Sequence, residues 1–116
     1  MYQYKAKIIK VYDGDTVTAE IDLGFDIKYK TSVRLIGIDT PELRSKYMLE
    51  KELAKNARGY LEDLIYEKEV TLITHKDDKY GRYLCDIYLD ELNINNEMIR
   101  IGYARPYDGG KRQPWF

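Results

Sequence analysis

The chain has 116 residues, a length typical of one domain with one core, and its 19 Lys plus Arg against 20 Asp plus Glu give a net charge of -1. This charge excludes the overall basic character typical of nucleic-acid-binding domains, although cations can still gather locally. The cations that could share one side are Arg34, Lys79, Arg82, Arg105, Lys111 and Arg112.

The single cysteine and the hydropathy pattern limit the environment of the protein. Cys85 lies in an apolar run without an intrachain partner, which excludes a disulfide framework, is compatible with a reducing compartment and favours a buried thiol. The N-terminal residues lead into no continuous apolar segment, and no later stretch is long enough to span a bilayer. We therefore expect a monomer without membrane contact, located in the cytoplasm or inside a host cell.

Alternating apolar residues predict three strands early in the chain. These strands are expected at 5–11, 16–23 and 27–38. The inward-facing residues of the second strand are Val17, Ala19, Ile21 and Leu23. Asp15 heads this row. A regular third strand would place Arg34 and Asp39 on opposite faces, so we expect a bulge near Gly37 or a strand that ends by Ile38.

A long helix, two strands and a short helix are predicted next. The expected ranges are 46–66 for the long helix, 69–74 and 82–89 for the strands, and 76–81 for the hairpin loop between them. The inner side of the long helix is predicted to consist of Leu49, Leu53, Ala57, either Tyr60 or Leu61, and Leu64. Asn95 would cap a short helix at 96–101, which Gly102 would end.

The order of these elements predicts the fold. Three strands, a helix and two more strands match a mainly β, α+β architecture, namely a five-stranded Greek-key barrel of the OB type with one long and one short helix. Without repeats or linkers, residues 1–116 should form a single domain, with a core at 1–104 and a tail at 105–116.

Three polar clusters interrupt the strands. They are Asp13-Gly14-Asp15-Thr16, the stretch from Arg34 to Glu42, and Asp78-Lys79-Tyr80-Gly81-Arg82. Taken singly, each is typical of a plain turn. Together they supply what hydrolysis of a phosphodiester needs, which is a cation at a phosphate oxygen, an activated water and donors for the growing negative charge.

The residue types in these clusters suggest separate roles. Hard oxygen ligands for a cation are the carboxylates of Asp15 and Asp39 and the backbone carbonyl of Thr40. Oxygen-only ligation indicates Ca²⁺ or Mg²⁺ rather than zinc. Glu42 could hydrogen-bond a metal-associated water as general base or orienter. Arg34 and Arg82 could bind phosphate oxygens bidentately.

The three clusters, in this order and at these separations, resemble the signature of the staphylococcal nuclease (thermonuclease) family, and the similarity runs from about residue 5 to 104. The resemblance implies a Ca²⁺-dependent nuclease, indifferent to the sugar, that cuts DNA and RNA, single-stranded or frayed, to leave 3′-phosphate ends. Mg²⁺ or Mn²⁺ could replace Ca²⁺.

Matching positions also imply residue roles. Asp15, Asp39 and Thr40 match metal ligands of the family, and the catalytic residues would be Arg34, Glu42 and Arg82. Lys79 and Tyr80 fall where the family contacts the terminal phosphate of a nucleotide. Tyr107 could serve as the tyrosine that stacks on the substrate base.

The chain departs from the family pattern in two places, and its sequence also allows other functions. The loop after Glu42 is shorter than in the staphylococcal type, and the C-terminal helix of the family is missing. We therefore expect Trp115 and Phe116 either to fold back over the exposed surface, which buries aromatic area, or to serve as an interaction tail. Residues 108–112 suit a flexible turn rather than a phosphate cradle. The alternative functions are a non-catalytic OB-type domain that binds nucleic acid or protein, and a calcium-stabilised structural domain.

Overall fold

The computed structural model describes residues 2–77 and 80–116, and over these residues it contains eight strands and two helices. In chain order they are β1 Gln3–Asp13, β2 Thr16–Asp22, β3 Lys28–Leu35, β4 Ile38–Asp39, α1 Met48–Ile65, β5 Glu69–Asp77, β6 Tyr83–Leu89, β7 Leu92–Asn93, α2 Ile94–Ile101 and β8 Arg105–Pro106. No helix in the described part of the chain is both long enough and apolar enough to cross a membrane.

Five of the strands close into a barrel. Antiparallel pairing joins β3, β2, β1, β5 and β6 in that order, and β3 also pairs in parallel with β6. The parallel pairing brings Leu35 opposite Cys85 and closes the sheet on itself. The predicted barrel with one long and one short helix is therefore confirmed.

Alternation along the strands fills the barrel with side chains. Ala6, Ile8 and Val11 of β1 are buried, as are Val17, Ala19 and Ile21 of β2. Leu23 is an exception to the prediction, being 44% exposed, because β2 ends at Asp22 before the turn. Cys85 is fully buried, and burial raises the pKa of its thiol to about 12, so it acts as a small apolar side chain.

The long helix packs on the barrel through a row of residues that shares only Ala57 and Leu61 with the predicted one. Leu49 and Leu53 are 67% and 39% exposed, so their predicted inward orientation is wrong. The buried row is Glu50, Ala54, Ala57, Leu61 and Ile65. Two rows with the same helical spacing compete in this sequence, and the pattern alone favoured the row that begins with leucine.

Element ends differ from prediction in ways that matter for the site. β3 ends at Leu35, and Gly37, at φ +82°, turns the chain into the separate strand β4. This break confirms the expected strand end before Ile38. The predicted Asn95 cap is wrong, because the side chain of Asn93 accepts the hydrogen bond from the backbone N–H of Asn96 and starts α2 two residues earlier.

Candidate active site

The three polar clusters meet at one cleft of about 1130 Å³. Seven predicted site residues line it, namely Asp15, Arg34, Thr40, Glu42, Tyr80, Arg82 and Tyr107. Asp39 lies beneath its surface and is 1% exposed. Lys79, the remaining predicted residue, is outside the described residues.

Asp15 is held at the turn between β1 and β2. Its backbone N–H donates to Asp13 Oδ1 at 3.0 Å, and its Oδ1 accepts a hydrogen bond from the Thr16 hydroxyl at 3.0 Å. Burial alone would raise the pKa of Asp15, but the hydrogen bond with Asp13 and the charge of Arg34 outweigh it and lower that pKa. Burial and the charge of Asp15 raise the pKa of Asp13 to about 7.

The guanidinium of Arg34 bridges the break after β3. It donates to the carbonyl oxygens of Leu35 and Ile38, each at 3.1 Å, and contacts Asp15 Oδ2 at 3.4 Å. The side chain thus reaches over the Gly37 turn, and this is how Arg34 and the segment that carries Asp39 come to one side of the barrel.

Asn95 stabilises the same break after β3 through hydrogen bonds, a role that the sequence pattern did not predict. Its side-chain amide donates to the carbonyls of Ile36 at 2.9 Å and Cys85 at 3.0 Å, and its oxygen accepts from the N–H of Ile87 at 3.1 Å. Asn95 is 2% exposed, and these bonds satisfy backbone groups where the barrel ladder stops. The sequence feature that could have indicated this role is a polar residue in the first turn of α2, on the face that the helix buries.

Asp39 is surrounded by arginines of the C-terminal segment. Its Oδ2 accepts from Arg105 Nε at 3.1 Å and Nη2 at 3.0 Å, and its Oδ1 forms an ion pair with Arg112 Nη2 at 2.6 Å. The Oδ1 atom is buried and has no partner of hydrogen-bond geometry within the described residues. A buried carboxylate oxygen of this kind is suited to a hard cation.

Glu42 projects from the loop before α1, and Glu50 positions that loop. Glu50 accepts the backbone N–H of Glu42 and the hydroxyl of Ser45, each at 2.9 Å. Glu50 is 9% exposed, whereas Glu42 lies in the open cleft. The sequence pattern missed Glu50 because an acidic residue in the first helical turn usually indicates only a favourable interaction with the helix dipole.

Arg82 and Tyr80 form the side of the cleft that belongs to the third cluster. Arg82 Nη1 donates to the Thr16 hydroxyl at 3.4 Å, and its guanidinium lies 5.4 Å from the centre of the Tyr80 ring. This contact brings the third cluster next to the first.

The donor set fits a hard divalent cation, although the protein supplies few charged ligands for it. No three acidic, His or Cys side chains of residues 2–77 and 80–116 converge as a metal-binding group. The predicted set needs only two carboxylates and the Thr40 carbonyl; Asp15 and Thr40 both line the cleft, and Asp39, which precedes Thr40, is buried. Oxygen ligands completed by water are typical of Ca²⁺ and Mg²⁺ sites.

The C-terminal segment covers one side of the cleft. Tyr107 lies with its ring 5.6 Å from the Arg34 guanidinium, and its backbone N–H donates to the carbonyl of Gly37 at 2.9 Å. Trp115 folds back as predicted and stacks on Arg105 at 4.1 Å, whereas Phe116 is 55% exposed. Residues 108–112, predicted as a simple turn, bring Arg112 into the cleft.

Comparisons with known proteins agree with this geometry. The model of the family described as staphylococcal nuclease homologue matches residues 32–114. An uncharacterized protein of Methanocaldococcus jannaschii is 33% identical, over 90% of this chain and 59% of its own length. An uncharacterized endonuclease of Haemophilus influenzae is 33% identical, over 93% of this chain and 55% of its own length. A probable staphylococcal-like nuclease of Oryza sativa subsp. japonica is 34% identical, over 75% of this chain and 22% of its own length.

Proposed function

Because the chain belongs to the family of staphylococcal nuclease homologues, we propose that it is a Ca²⁺-dependent nuclease that hydrolyses phosphodiester bonds in DNA and RNA and leaves 3′-phosphate ends. One observation carries this proposal: a single cleft unites side chains from three distant segments, namely Asp15, Arg34, Glu42 and Arg82. The chain spans only part of the relatives it matches, so the proposal concerns the activity of this domain.

Ca²⁺ would be held by the carboxylates of Asp15 and Asp39 and by the carbonyl of Thr40. When bound, it would supply positive charge at a non-bridging phosphate oxygen and acidify an associated water. Mg²⁺ and Mn²⁺ also accept oxygen ligands and are possible substitutes. The buried Oδ1 of Asp39, which has no partner of hydrogen-bond geometry within the described residues, supports this assignment.

Glu42 would accept a proton from the attacking water. Its carboxylate is more than half exposed to the cleft, and the Glu50 hydrogen bond fixes its backbone. A base in this position needs access both to solvent water and to the phosphate. The exposure of Glu42 supports the first requirement, and its position in one cleft with Arg34 and Arg82 supports the second.

Arg34 and Arg82 would stabilise the charge that develops on the phosphate. A guanidinium has five N–H donors, and the three contacts of Arg34 leave two for a phosphate oxygen. Lys79 and Tyr80 would bind a terminal phosphate, and Tyr107 would stack on a base. A cleft at the barrel surface suits a single-stranded or frayed substrate, whose bases can leave the duplex.

Cleavage of a fluorogenic oligonucleotide, with Ca²⁺ or with chelator, tests the proposal. Glu42→Gln and Arg82→Ala should each lower kcat by about 10² or more while the protein stays folded, because each removes stabilisation of the transition state. Arg58→Ala, on the exposed side of α1, is the matched control and should cleave normally.

Three results would contradict parts of the proposal. Near-normal cleavage by both variants would refute the assigned roles. Oligonucleotide binding without cleavage in any divalent metal would favour the non-catalytic binding domain. Stabilisation by Ca²⁺ without either property would favour the structural domain.

A further inference from the structure

A cation of the chain itself lies against the groups proposed to hold the metal and the water. Arg112 Nη2 is 2.6 Å from Asp39 Oδ1 and 3.1 Å from the carbonyl oxygen of Thr40, and Arg112 Nη1 contacts Glu42 Oε1. One guanidinium therefore joins two carboxylates and a carbonyl that come from a stretch of four residues.

Arg112 and a divalent cation cannot use these oxygens in the same way at the same time. Ca²⁺ lies 2.3 to 2.6 Å from its oxygen ligands, so roughly the volume that the guanidinium nitrogens fill would have to be vacated. Asp39 offers no alternative direction of approach, because its side chain is 2% exposed and its other oxygen accepts two hydrogen bonds from Arg105. Arg112 is the more exposed of the two arginines and so the easier to displace.

The segment that carries Arg112 is fastened at a second point. Arg105 donates to the backbone carbonyls of Gln113 and Pro114 and stacks on the Trp115 ring at 4.1 Å. These contacts involve the segment after Arg112, so displacement of Arg112 should change the environment of the Trp115 ring. Trp115 is the one tryptophan of the chain, which gives the segment its own optical reporter.

We propose that Arg112 is an internal competitor of the divalent metal, which closes the site in the metal-free protein and leaves it when the metal binds. The inference rests on the proposed function, because it takes Asp39 and Thr40 as metal ligands. Its consequence is that the C-terminal segment sets the metal affinity, since the metal binds only the fraction of molecules in which Arg112 has moved away. The Ca²⁺ concentration that the site requires then depends on the C-terminal segment as well as on the metal ligands.

Calorimetric titration with Ca²⁺ of the wild type, Arg112→Gln and Lys111→Gln tests this competition. Arg112→Gln should lower the Kd for Ca²⁺ by about tenfold or more, as expected if the closed form holds at least about nine tenths of the molecules. Lys111→Gln removes the same charge from the neighbouring exposed position and should change the Kd less than about twofold, because screened surface charges interact weakly. An unchanged or higher Kd in Arg112→Gln would overturn the proposal.

Two measurements on the wild type need no variant. Ca²⁺ should change the fluorescence of Trp115, and it should speed tryptic cleavage after Lys111 and Arg112, followed by mass spectrometry. Slower cleavage of these bonds in Ca²⁺ would also overturn the proposal, because it would mean that the metal fastens the segment.

Parallel cleavage assays separate this inference from the proposed function. If Arg112→Gln binds Ca²⁺ more tightly but neither protein cleaves nucleic acid, the competition holds and the nuclease proposal fails. If the wild type cleaves with Ca²⁺ and both proteins bind Ca²⁺ equally, the nuclease proposal holds and the competition fails. If neither protein binds Ca²⁺, both proposals are wrong.

Discussion

Glu50 connects α1 by hydrogen bonds to the loop that carries the candidate base, Glu42. It belongs to the buried row of the helix, and each of its carboxylate oxygens accepts one hydrogen bond, from the Glu42 N–H and from the Ser45 hydroxyl. The negative charge of the carboxylate strengthens both bonds. Glu50 therefore positions Glu42 without contacting the substrate.

Replacing Glu50 by Gln tests this positioning role. The amide keeps the shape of the side chain but removes its charge, so the two charge-assisted hydrogen bonds to Glu42 and Ser45 become weaker, neutral ones. We expect a loss of about 1 to 3 kcal/mol in the free energy of unfolding and a fall of about tenfold in kcat with little change in KM. Denaturant unfolding and steady-state kinetics measure these effects.

Glu52→Gln is the matched control for this change. Glu52 lies on the same helix, and its ion pair with Lys55, at 3.9 Å, joins two side chains that are at least 60% exposed. Both measurements should therefore stay at wild-type values. If Glu50→Gln lost stability but kept its kcat, Glu50 would support only the fold and not the orientation of Glu42.

At the scale of elements, α1 lies close to the turn that carries Asp15. A Cβ atom built on Gly14 would lie 2.9 Å from Ala57 Cβ and 3.0 Å from Thr40 Cγ2, so neither the helix nor the loop leaves room for a methyl group. Gly14 thus allows helix, turn and site loop to meet at one point. Its small size matters here, since its φ is not in the left-handed region.

Gly14→Ala should destabilise the protein by about 1 to 3 kcal/mol through overpacking. Thermal or denaturant unfolding measures the change, and the displaced Thr40 should also weaken Ca²⁺ binding. Gly59→Ala, in the middle of α1, is the opposite control: its Cβ would have no neighbour within 4 Å, and it should stabilise by about 0.4 to 1 kcal/mol. Equal effects of the two substitutions would contradict the close approach at Gly14.

The second helix is attached to the first by Glu97. This carboxylate accepts from Arg100 Nε at 2.6 Å and Nη2 at 2.7 Å, and from the Tyr60 hydroxyl at 2.8 Å. The hydrogen bonds from Arg100 and then from Tyr60 lower the pKa of Glu97 from 4.5 to about 2. Since α2 also carries Asn95, this contact holds the element that fixes the end of β3.

The lowered pKa of Glu97 predicts a pH dependence of stability. A carboxyl with a depressed folded-state pKa stabilises the fold above its unfolded value of 4.5, and this contribution is lost as the pH falls toward about 2. Glu97→Gln should therefore have a lower Tm than the wild type at pH 7, and the difference should shrink between pH 4.5 and 2. Glu91→Gln, in the exposed turn after β6, is the control and should keep the wild-type profile. A difference that stayed constant with pH would contradict the ion pair.

Regular elements were predictable because their alternation and helical spacing depend on local sequence. The barrel strands and both helices were found on this basis, with ends that differ by a few residues. The row of α1 that faces the barrel was found only in part, because the burial of Glu50 depends on hydrogen bonds to the loop before the helix, which helical spacing does not encode. The short strands β4, β7 and β8 have two residues each, too few to show a period.

The candidate site was predictable as far as its residues lie in compact motifs. Asp15, Arg34 and Glu42 were predicted to lie together because they belong to clusters that match the family signature. The break at Gly37 was predicted because a regular strand would place Arg34 and Asp39 on opposite faces. Asn95 and Arg112 were not found as site residues. The contact of Asn95 with Ile36 spans 59 residues and that of Arg112 with Thr40 spans 72, and no local pattern encodes such partners.

For the whole molecule, a net charge of -1 coexists with a cleft that gathers arginines. Within the described residues, the cations of the cleft and its surroundings are Arg34, Arg44, Arg82, Arg105, Lys111 and Arg112, and the facing carboxylates are Asp13, Asp15, Asp39, Glu42 and Asp108. Most of the positive charge is thus compensated within the site. Long-range attraction of a polyanion should be weak, and the affinity for nucleic acid should come from few phosphate contacts.

This charge balance predicts a shallow salt dependence. For a single strand, the logarithm of the binding constant falls with the logarithm of salt by about 0.7 per phosphate contact, so three contacts, by Arg34, Lys79 and Arg82, give a slope of about -2.1. Raising salt from about 50 to 200 mM should then weaken binding about 18-fold, against about 10³ or more for a protein with many contacts. The measurement is oligonucleotide binding to Glu42→Gln at fixed saturating Ca²⁺, which avoids cleavage.

Arg82→Ala in the same background makes the test specific, because loss of one contact should reduce the slope by about 0.7. A steep slope for Glu42→Gln alone would mean that basic residues outside the cleft also contact the phosphates of the strand. An unchanged slope after loss of Arg82 would mean that this guanidinium does not touch phosphate in the bound state. A shallow slope that falls by one contact would instead mean that this domain recognises a phosphate locally, with its metal and arginines, rather than by a basic surface.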